Sequence, residues 1–533
     1  MNQIEIKKRR IEICSHVIGL VTLLVLGFIL KDNGIAYVAF ALESFTLFWI
    51  ITGGGVADTL GRLLRGRSAK GQYRNAAKLR RNAMLLEGAV GAVGSALLFA
   101  CAGLLGEHLL SLHYCVVMIR ILSPVIFLRT MSAVFLGCFQ GEGTELPTAI
   151  VSVMRQVCIL IFSLLFSNLF MQHGYKVSAL LREENFAAMH GGLGVALAVL
   201  IAEALVLLFL LLVYRGSHRK ERKGTGAGMR TTDSFVSQVR ILYGSWLPVM
   251  FTAFLQQLPI WLGLFFYRNS ITDLSGLNDY GVFYGKYLAL TGIWILPGCA
   301  LLLGSSYKVA GCVRREEPRY ARGNFSGGLH MGVLYGVFLS LFMTVMAPQI
   351  AGIFGGGAVD LLTKMLRFGS FLILFTVLGS YFSEILTQLG GKFQVMGALA
   401  LYDLVFIVSL IAFLNGGKMG IMAVLNAGVL AAGVFMAACG ALILYQTGVG
   451  VNWMQSVAIP AGVACAVCLI VFFIAKALTP HLGNLVTVGL CLVLGLLCDW
   501  VVLLFLNNFR EQELSYMPGG AVIRAIGQIL RIY

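Results

Sequence analysis

The sequence predicts an all-α polytopic membrane protein of about fourteen transmembrane helices, built as two parallel six-helix repeats plus two C-terminal helices. Three observations support this fold class. The 533-residue chain is 58% apolar and only 12% charged, with a mean hydropathy of +0.86, whereas soluble domains carry roughly a quarter charged residues. Its apolar residues form stretches long enough to cross a bilayer, and one sequence pattern recurs about half a chain length later.

Each predicted span is an apolar stretch of about 20 residues, the length a helix needs to cross the hydrocarbon core. Polar or glycine-containing segments separate the stretches, so consecutive spans cross in opposite directions. The spans lie near residues 11–30, 35–57, 83–105, 117–138, 148–170, 193–214, 241–266, 280–303, 325–347, 361–387, 394–414, 420–445, 454–476 and 484–506.

The basic residues are unevenly divided between the two sides of the membrane. The side that holds both termini also holds four basic clusters, Lys7–Arg10, Arg62–Arg81, Arg215–Arg230 and Lys308–Arg322. The opposite segments hold Lys31, Lys176, Arg182, Arg268 and Lys418. Because Lys and Arg are enriched in cytoplasmic loops, both termini are predicted to be cytoplasmic.

One pattern in the fourth span recurs in the tenth. Arg120 and Ser123 match Arg367 and Ser370 at one offset, and the glutamines of the following turns match after a gap of one residue. The turn motifs are Gln140-Gly141 and Gln388-Leu389-Gly390. An even number of spans separates the copies, so the repeats are predicted to be parallel.

The repeat predicts the domain organisation. An N-lobe of helices 1–6 covers residues 1–214, and a basic cytoplasmic linker covers 215–240. A C-lobe of helices 7–12 covers 241–445, helices 13 and 14 cover 454–506, and an amphipathic cytoplasmic tail covers 507–533.

Several short motifs follow one another in a recognisable order: Gly53–Gly55 with Ala69–Lys78, Gly137–Gly141 with Leu146–Ala149, and Tyr280–Gly281 with Leu296–Pro297. This order resembles the polysaccharide- and peptidoglycan-precursor flippases of the multidrug/oligosaccharidyl-lipid/polysaccharide exporter superfamily, especially the stage V sporulation protein B-like branch. The sequence departs from that branch at Leu136, where an arginine is common, and at Arg155, where an acid is common. It also lacks an expected acid near Gln256–Pro259.

The resemblance implies a non-enzymatic transporter that moves a polyprenyl-diphosphate-linked saccharide or peptidoglycan precursor to the outer leaflet by alternating access. A drug or organic-cation antiporter of the same superfamily is the alternative, and a non-transporting scaffold for cell-wall assembly is another. A membrane-embedded transferase would need clustered acids or a metal set in a loop, and the loops of the sequence offer neither.

Cations at membrane depth are the candidate substrate-binding residues, because burying a charge costs at least about 2.5 kcal/mol and needs a reason. Arg129, Arg155 and Lys286 are deep enough either to bind a diphosphate in a cavity or to form buried ion pairs. Arg120 and Arg367 lie near span ends, where a substrate role competes with snorkelling to headgroups.

Glu43, Glu203 and Asp403 are the candidate ion-coupling acids, since they lie at comparable depth. The competing interpretation of Glu43 is a salt bridge to Arg129 or Arg155. Transport is expected to need no cofactor or metal, with coupling to membrane potential, protons or Na⁺ left open. The expected partners are the lipid-linked substrate, membrane lipids and cell-envelope biosynthesis enzymes, not nucleic acid, and the chain is expected to be a monomer.

Overall fold

The computed structural model describes residues 3–109, 112–181, 185–218, 234–271, 275–417, 419–506, 508–509, 514 and 517–529. Helices are the regular elements of this described part, which contains no strand. The chain divides into two compact units, Met1–Gly281 and Val282–Tyr533. Residues 219–233, which make up most of the predicted linker 215–240, lie outside the described residues.

The first unit contains the helices that hold most of the candidate site. They are α1 (Gln3–Gly53), α2 (Val56–Ala69), α3 (Tyr73–Gly103), continued by a π-helical turn (Leu104–Leu109), α4 (Cys115–Gly141), α5 (Leu146–Leu181), α6 (Asn185–His218), α7 (Phe235–Ser270) and the start of α8 (Ser275–Val282).

The second unit follows a π-helical turn at Phe283–Leu288. Its helices are α9 (Ala289–Arg314), α10 (Pro318–Val345), α11 (Ala347–Phe354), α12 (Val359–Gly369), α13 (Leu372–Gln388), α14 (Lys392–Asn415), α15 (Ile421–Thr447), α16 (Ile459–Phe505) after the π-helical Met454–Ala458, and α17 (Gly520–Ile529).

Eleven helices of the described part are long and apolar enough to cross a membrane, or twelve if the bent pair α12 and α13 forms one span. Two long helices contain a break: Lys31 in α1 has φ 57° and Gly483 in α16 has φ 73°. Each break falls between two predicted spans. The all-α polytopic fold is therefore confirmed, while the total of fourteen spans stays a prediction.

Three local features differ from the sequence-based expectation. The predicted basic loop after the second span is mostly helical, since α2 runs to Ala69 and α3 starts at Tyr73. The predicted tenth span is bent by 42° where α12 meets α13, next to Ser370. Helix α7, assigned from the sequence to the C-lobe, packs with the first unit, where Trp246 Nε1 donates to the Gly54 oxygen at 2.7 Å.

The predicted tail is partly described. Helix α17 is amphipathic, with Ile523 buried and Val522 more than half exposed. Before it, the ring of Phe509 stacks on His330, with 5.1 Å between centroids, and the Asn508 side chain lies 3.0 Å from His330 Nε2. Asn508 and Phe509, at the start of the tail, therefore pack on α10 of the second unit, and the position of the tail at the membrane surface stays a prediction.

Candidate functional site: a buried arginine–glutamate cluster

Two arginines of the first unit converge on one carboxylate. Arg129 on α4 donates from Nε to Glu203 Oε1 at 2.8 Å, and Nε of Arg155 on α5 lies 2.8 Å from the same oxygen. The Glu203 side chain on α6 is fully buried, and each arginine side chain is 19% exposed. Two cations that share one anion leave a local positive charge when all three are ionised. The cluster can therefore accept a further negative charge.

Two aromatic rings of α1 support the Arg129 guanidinium. Its Cζ lies 4.8 Å from the ring centroid of Trp49 and 5.4 Å from that of Phe45. Such cation–π contacts stabilise a cation that has left water. Sequence reasoning assigned no role to these rings. Their spacing of four residues, which puts both on one helix face, is the signal that could have indicated them.

Glu43, the predicted coupling acid on α1, accepts a hydrogen bond from Gln257 Nε2 of α7. The Glu43 side chain is 6% exposed. The acid that pairs with Arg129 and Arg155 is Glu203. Glu203 therefore has the contacts of a counter-ion, whereas the sequence placed it among the candidate ion-coupling acids. The substrate and coupling roles predicted for these residues remain predictions.

The other predicted cations lie elsewhere. Lys286, in the second unit, is 8% exposed and donates from Nζ to the Gly355 oxygen at 2.9 Å, beside the end of α11. Arg120 is exposed, with its Cζ 5.6 Å from the Phe99 ring centroid, and Arg367 is exposed as well. Exposure of both residues agrees with side chains that reach towards headgroups.

Asp403 on α14 is the remaining predicted coupling acid. Its side chain is 5% exposed, and neither carboxylate oxygen has a hydrogen-bond partner among the described residues. The described residues also contain no group of three or more His, Cys, Asp or Glu side chains arranged to hold a metal ion.

The turn motif of the first unit is the centre of a partly buried polar network. Arg65 Nη2 donates to the Gln140 main-chain oxygen at 2.8 Å and to Glu145 Oε1 at 2.7 Å. In the amide orientation that satisfies both of its groups, the Gln140 side chain donates to the Ala57 oxygen and accepts from Lys8 Nζ at 2.8 Å. Lys8 also lies 3.2 Å from Glu145 Oε2. Gln140 therefore joins α1, α2 and α4.

Glycines bring α2 and α4 close together at this turn. A Cβ on Gly141 would lie 2.5 Å from Leu64 Cβ, and a Cβ on Gly137 would lie 2.9 Å from the Ala57 oxygen. Small residues four positions apart allow helices to approach this closely in membranes. The Gly137-x-x-x-Gly141 spacing thus has a packing function.

The second unit repeats part of this arrangement. An Arg314 guanidinium donates to the main-chain oxygen of Gln388, and the Gln388 side chain donates to Glu384 Oε1 at 2.9 Å. Gly390 has φ 95°, a conformation that glycine adopts without strain. In both predicted turn motifs, an arginine therefore donates to the main-chain oxygen of the glutamine, which lies at the end of a helix.

These features define a polytopic α-helical membrane protein with the fold of two-lobed transporters. The chain is similar to a multidrug resistance MATE family transporter of the MOP superfamily in an inward-facing conformation, with a TM-score of 0.63, 14% identity, and coverage of 81% of this chain and 94% of that one. It is also similar to the lipid II flippase MurJ in an inward-closed conformation, with a TM-score of 0.62, 13% identity, and coverage of 92% and 97%.

Sequence comparisons agree with this fold. Residues 11–223 match the family model described as polysaccharide biosynthesis protein. Stage V sporulation protein B of Bacillus subtilis (strain 168) is 21% identical over 165 residues, which covers 31% of this chain and 32% of that relative. The match thus spans less than half of the relative's length. Both sequence matches agree with the predicted resemblance to flippases of the multidrug/oligosaccharidyl-lipid/polysaccharide exporter superfamily.

Proposed function

We propose that this protein is a flippase that translocates a polyprenyl-diphosphate-linked saccharide or peptidoglycan precursor across the membrane. The observation that carries the proposal is the pair of arginines, Arg129 and Arg155, held by the single carboxylate of Glu203. A diphosphate offers several anionic oxygens to guanidinium groups, which bind such oxygens in charge-assisted hydrogen bonds. Glu203 then acts as the counter-ion of the empty site.

The charge of the cluster favours this substrate class over organic cations. A cation that entered beside Arg129 and Arg155 would meet two positive groups, of which one carboxylate can balance only one. Cation–π contacts from Phe45 and Trp49 are already occupied by Arg129. The organic-cation antiporter remains the rival function, since a MATE family transporter has a similar fold.

Binding in lipid nanodiscs tests the proposal. Purified protein is titrated with a polyprenyl-diphosphate saccharide and, separately, with an organic cation, at one fixed salt concentration. Arg129→Ala and Arg155→Ala are each expected to weaken binding of the diphosphate lipid by at least tenfold, which is about 1.4 kcal/mol. Arg240→Ala, which changes an exposed arginine near the start of α7, is the matched control and is expected to bind as the wild type does.

Two other binding results would support a different function. If the wild type binds organic cations but not the diphosphate lipid, the protein is an antiporter for cations. Binding of neither ligand, by a protein that is folded and inserted, would support a scaffold without transport.

Membrane orientation is part of the proposed function, because outward movement is defined relative to the cytoplasmic side, which the basic segments are predicted to face. Reporter fusions after Gly417 and after Gly448 test the orientation across α15. A reporter active only outside the cytoplasm is expected to be active after Gly417 and inactive after Gly448. We propose a bacterial plasma membrane location with both termini cytoplasmic, and transport coupled to an ion gradient or to the membrane potential.

A further inference from the structure

The helices before the third span of each repeat end in the same kind of turn. In the first unit, the Gln72 amide donates to the Arg67 oxygen and the Gly71 amide donates to the Ser68 oxygen. In the second unit, the Glu317 amide donates to the Cys312 oxygen and the Glu316 amide donates to the Val313 oxygen. Both bond pairs form a Schellman motif, which requires a left-handed residue directly after the helix.

The residue in that left-handed position differs between the units. Gly71 has φ 71°, whereas the equivalent residue in the second unit is Glu316, with φ 59°. Glycine adopts this conformation freely, but a side chain with a Cβ is strained there. The first unit shows that glycine forms the same turn. Glu316 therefore imposes backbone strain that a glycine at the same position would avoid. Such strain often accompanies a functional site.

Glu316 lines a cavity that carries charges of both signs. The cavity has a volume of about 350 Å³, and its walls include Glu316, Glu317, Arg319, Arg322 and the backbone of Gly448–Gly450. Volumes of roughly 300–1,000 Å³ are typical of ligand pockets. Glu316, Arg319 and Arg322 are exposed and Glu317 is partly buried, so a ligand that bears both charges can reach them from solution.

The cavity lies between the ends of membrane-crossing helices. Its charged wall joins the end of α9 to the start of α10, and its glycine wall follows the end of α15. All three helices are long and apolar enough to span a bilayer. Arg322 and Gly448 each lie three residues beyond a predicted span, 325–347 and 420–445, which places this side of the cavity near the lipid headgroups.

We infer that this cavity binds the headgroup of a phospholipid that carries a primary ammonium, as phosphoethanolamine does. Arg319 and Arg322 contact the phosphate, since guanidinium groups bind phosphate oxygens. Glu316 and Glu317 accept hydrogen bonds from the ammonium. A choline headgroup has the same charges but no N–H donor, and a glycerol headgroup has no cation, so neither satisfies both carboxylates. The site is separate from the arginine–glutamate cluster and does not depend on the proposed transport function.

The test measures retained lipid by native mass spectrometry of the full chain in mild detergent. Protein is exposed to an equimolar mixture of phosphatidylethanolamine, phosphatidylcholine and phosphatidylglycerol with identical acyl chains. The wild type is expected to retain phosphatidylethanolamine at least tenfold over phosphatidylcholine. Glu316→Gly is expected to abolish that preference while the melting temperature stays the same or rises, because glycine relieves the strained turn. Loss of binding then cannot result from misfolding.

Two further arms complete the design. Gly71→Glu introduces the same strain in the other unit, and it is expected to lower the melting temperature while the lipid preference stays unchanged. Water-soluble glycerophosphoethanolamine is expected to compete only at much higher concentration than the lipid. Undiminished preference in Glu316→Gly, equal retention of phosphatidylcholine by the wild type, or competition by the soluble compound at the lipid's own concentration would each overturn the inference.

Discussion

Arg65 donates from Nη2 to the main-chain oxygen of Gln140, at a distance of 2.8 Å. The bond gives this carbonyl, in the last turn of α4, a second donor beside the Gly143 amide, which lies 3.1 Å away. The second unit contains the equivalent contact from Arg314 to the Gln388 oxygen. The two predicted turn motifs therefore share an interaction as well as a sequence pattern.

We predict that Arg65→Gln lowers the free energy of unfolding by about 1 kcal/mol. The substitution removes the donor to Gln140 and one of two cations beside Glu145. Arg65 is 47% exposed, so water replaces part of the lost contact. Thermal unfolding in detergent checks the value, with exposed Arg62→Gln on the same helix as the control. Equal stability of the two variants would show that the Gln140 contact contributes nothing.

Gly141→Ala is predicted to destabilise the first unit by about 1–3 kcal/mol, because the added methyl group overlaps Leu64 and forces α2 away from α4. Gly66→Ala is the matched control. A Cβ at Gly66 of α2 meets no atom within 4 Å, so alanine there is expected to stabilise the helix by about 0.5–1 kcal/mol. The two glycine-to-alanine changes should thus shift the melting temperature in opposite directions. A stabilising Gly141→Ala would contradict the close packing.

Glu203→Ala is predicted to lower stability by about 3–5 kcal/mol, because two largely buried guanidinium groups lose their shared carboxylate. Glu203→Gln keeps the shape of the side chain and is expected to cost less. If Glu203 is the counter-ion of an empty substrate site, Glu203→Gln also binds the diphosphate lipid about tenfold more tightly. Titration and thermal unfolding of the same samples separate the effects. Weaker lipid binding by a folded Glu203→Gln would argue against the counter-ion role.

Substitutions at the Glu43–Gln257 contact distinguish a role of Glu43 in ion coupling from a purely structural role. Gln257→Ala leaves a buried carboxylate oxygen without its amide donor, which we expect to cost about 1–3 kcal/mol of stability. Glu43→Gln removes the charge and is expected to abolish the dependence of transport on an imposed proton or Na⁺ gradient if Glu43 is the coupling acid. Transport into proteoliposomes, with and without the gradient, measures this dependence. An unchanged gradient dependence in Glu43→Gln would leave Glu43 a structural role only.

The fold class follows from sequence because each span must satisfy its own backbone in lipid, which makes apolar length a direct signal. The breaks at Lys31 and Gly483 fall between predicted spans for the same reason. The bend at Ser370 and the packing of α7 could not be predicted from apolar length, since both depend on contacts from other helices. Thr344 Oγ1, 2.6 Å from Ser370 Oγ, is one of them.

The candidate site was only partly predictable. Depth in a span identified Arg129, Arg155 and Glu203 as residues that need a partner, because a charge at membrane depth is costly. Pairing depends on helix rotation and on which helices are neighbours, and hydropathy reports neither. For that reason Glu43 was weighed as the partner of the arginines, although Glu203 holds both of them. Trp49, beside Arg129, was missed because Trp near span ends is usually assigned to the membrane interface.

The sharing of one Glu203 oxygen by two arginines also bears on how the membrane potential acts on the protein. With all three groups ionised, the cluster carries one uncompensated elementary charge inside the bilayer. Carrying one such charge across the whole membrane field changes the free energy by about 2.3 kcal/mol per 100 mV. A rearrangement that shifts the cluster along the membrane normal is therefore sensitive to voltage, and an anion bound to the arginines reverses or cancels that sensitivity.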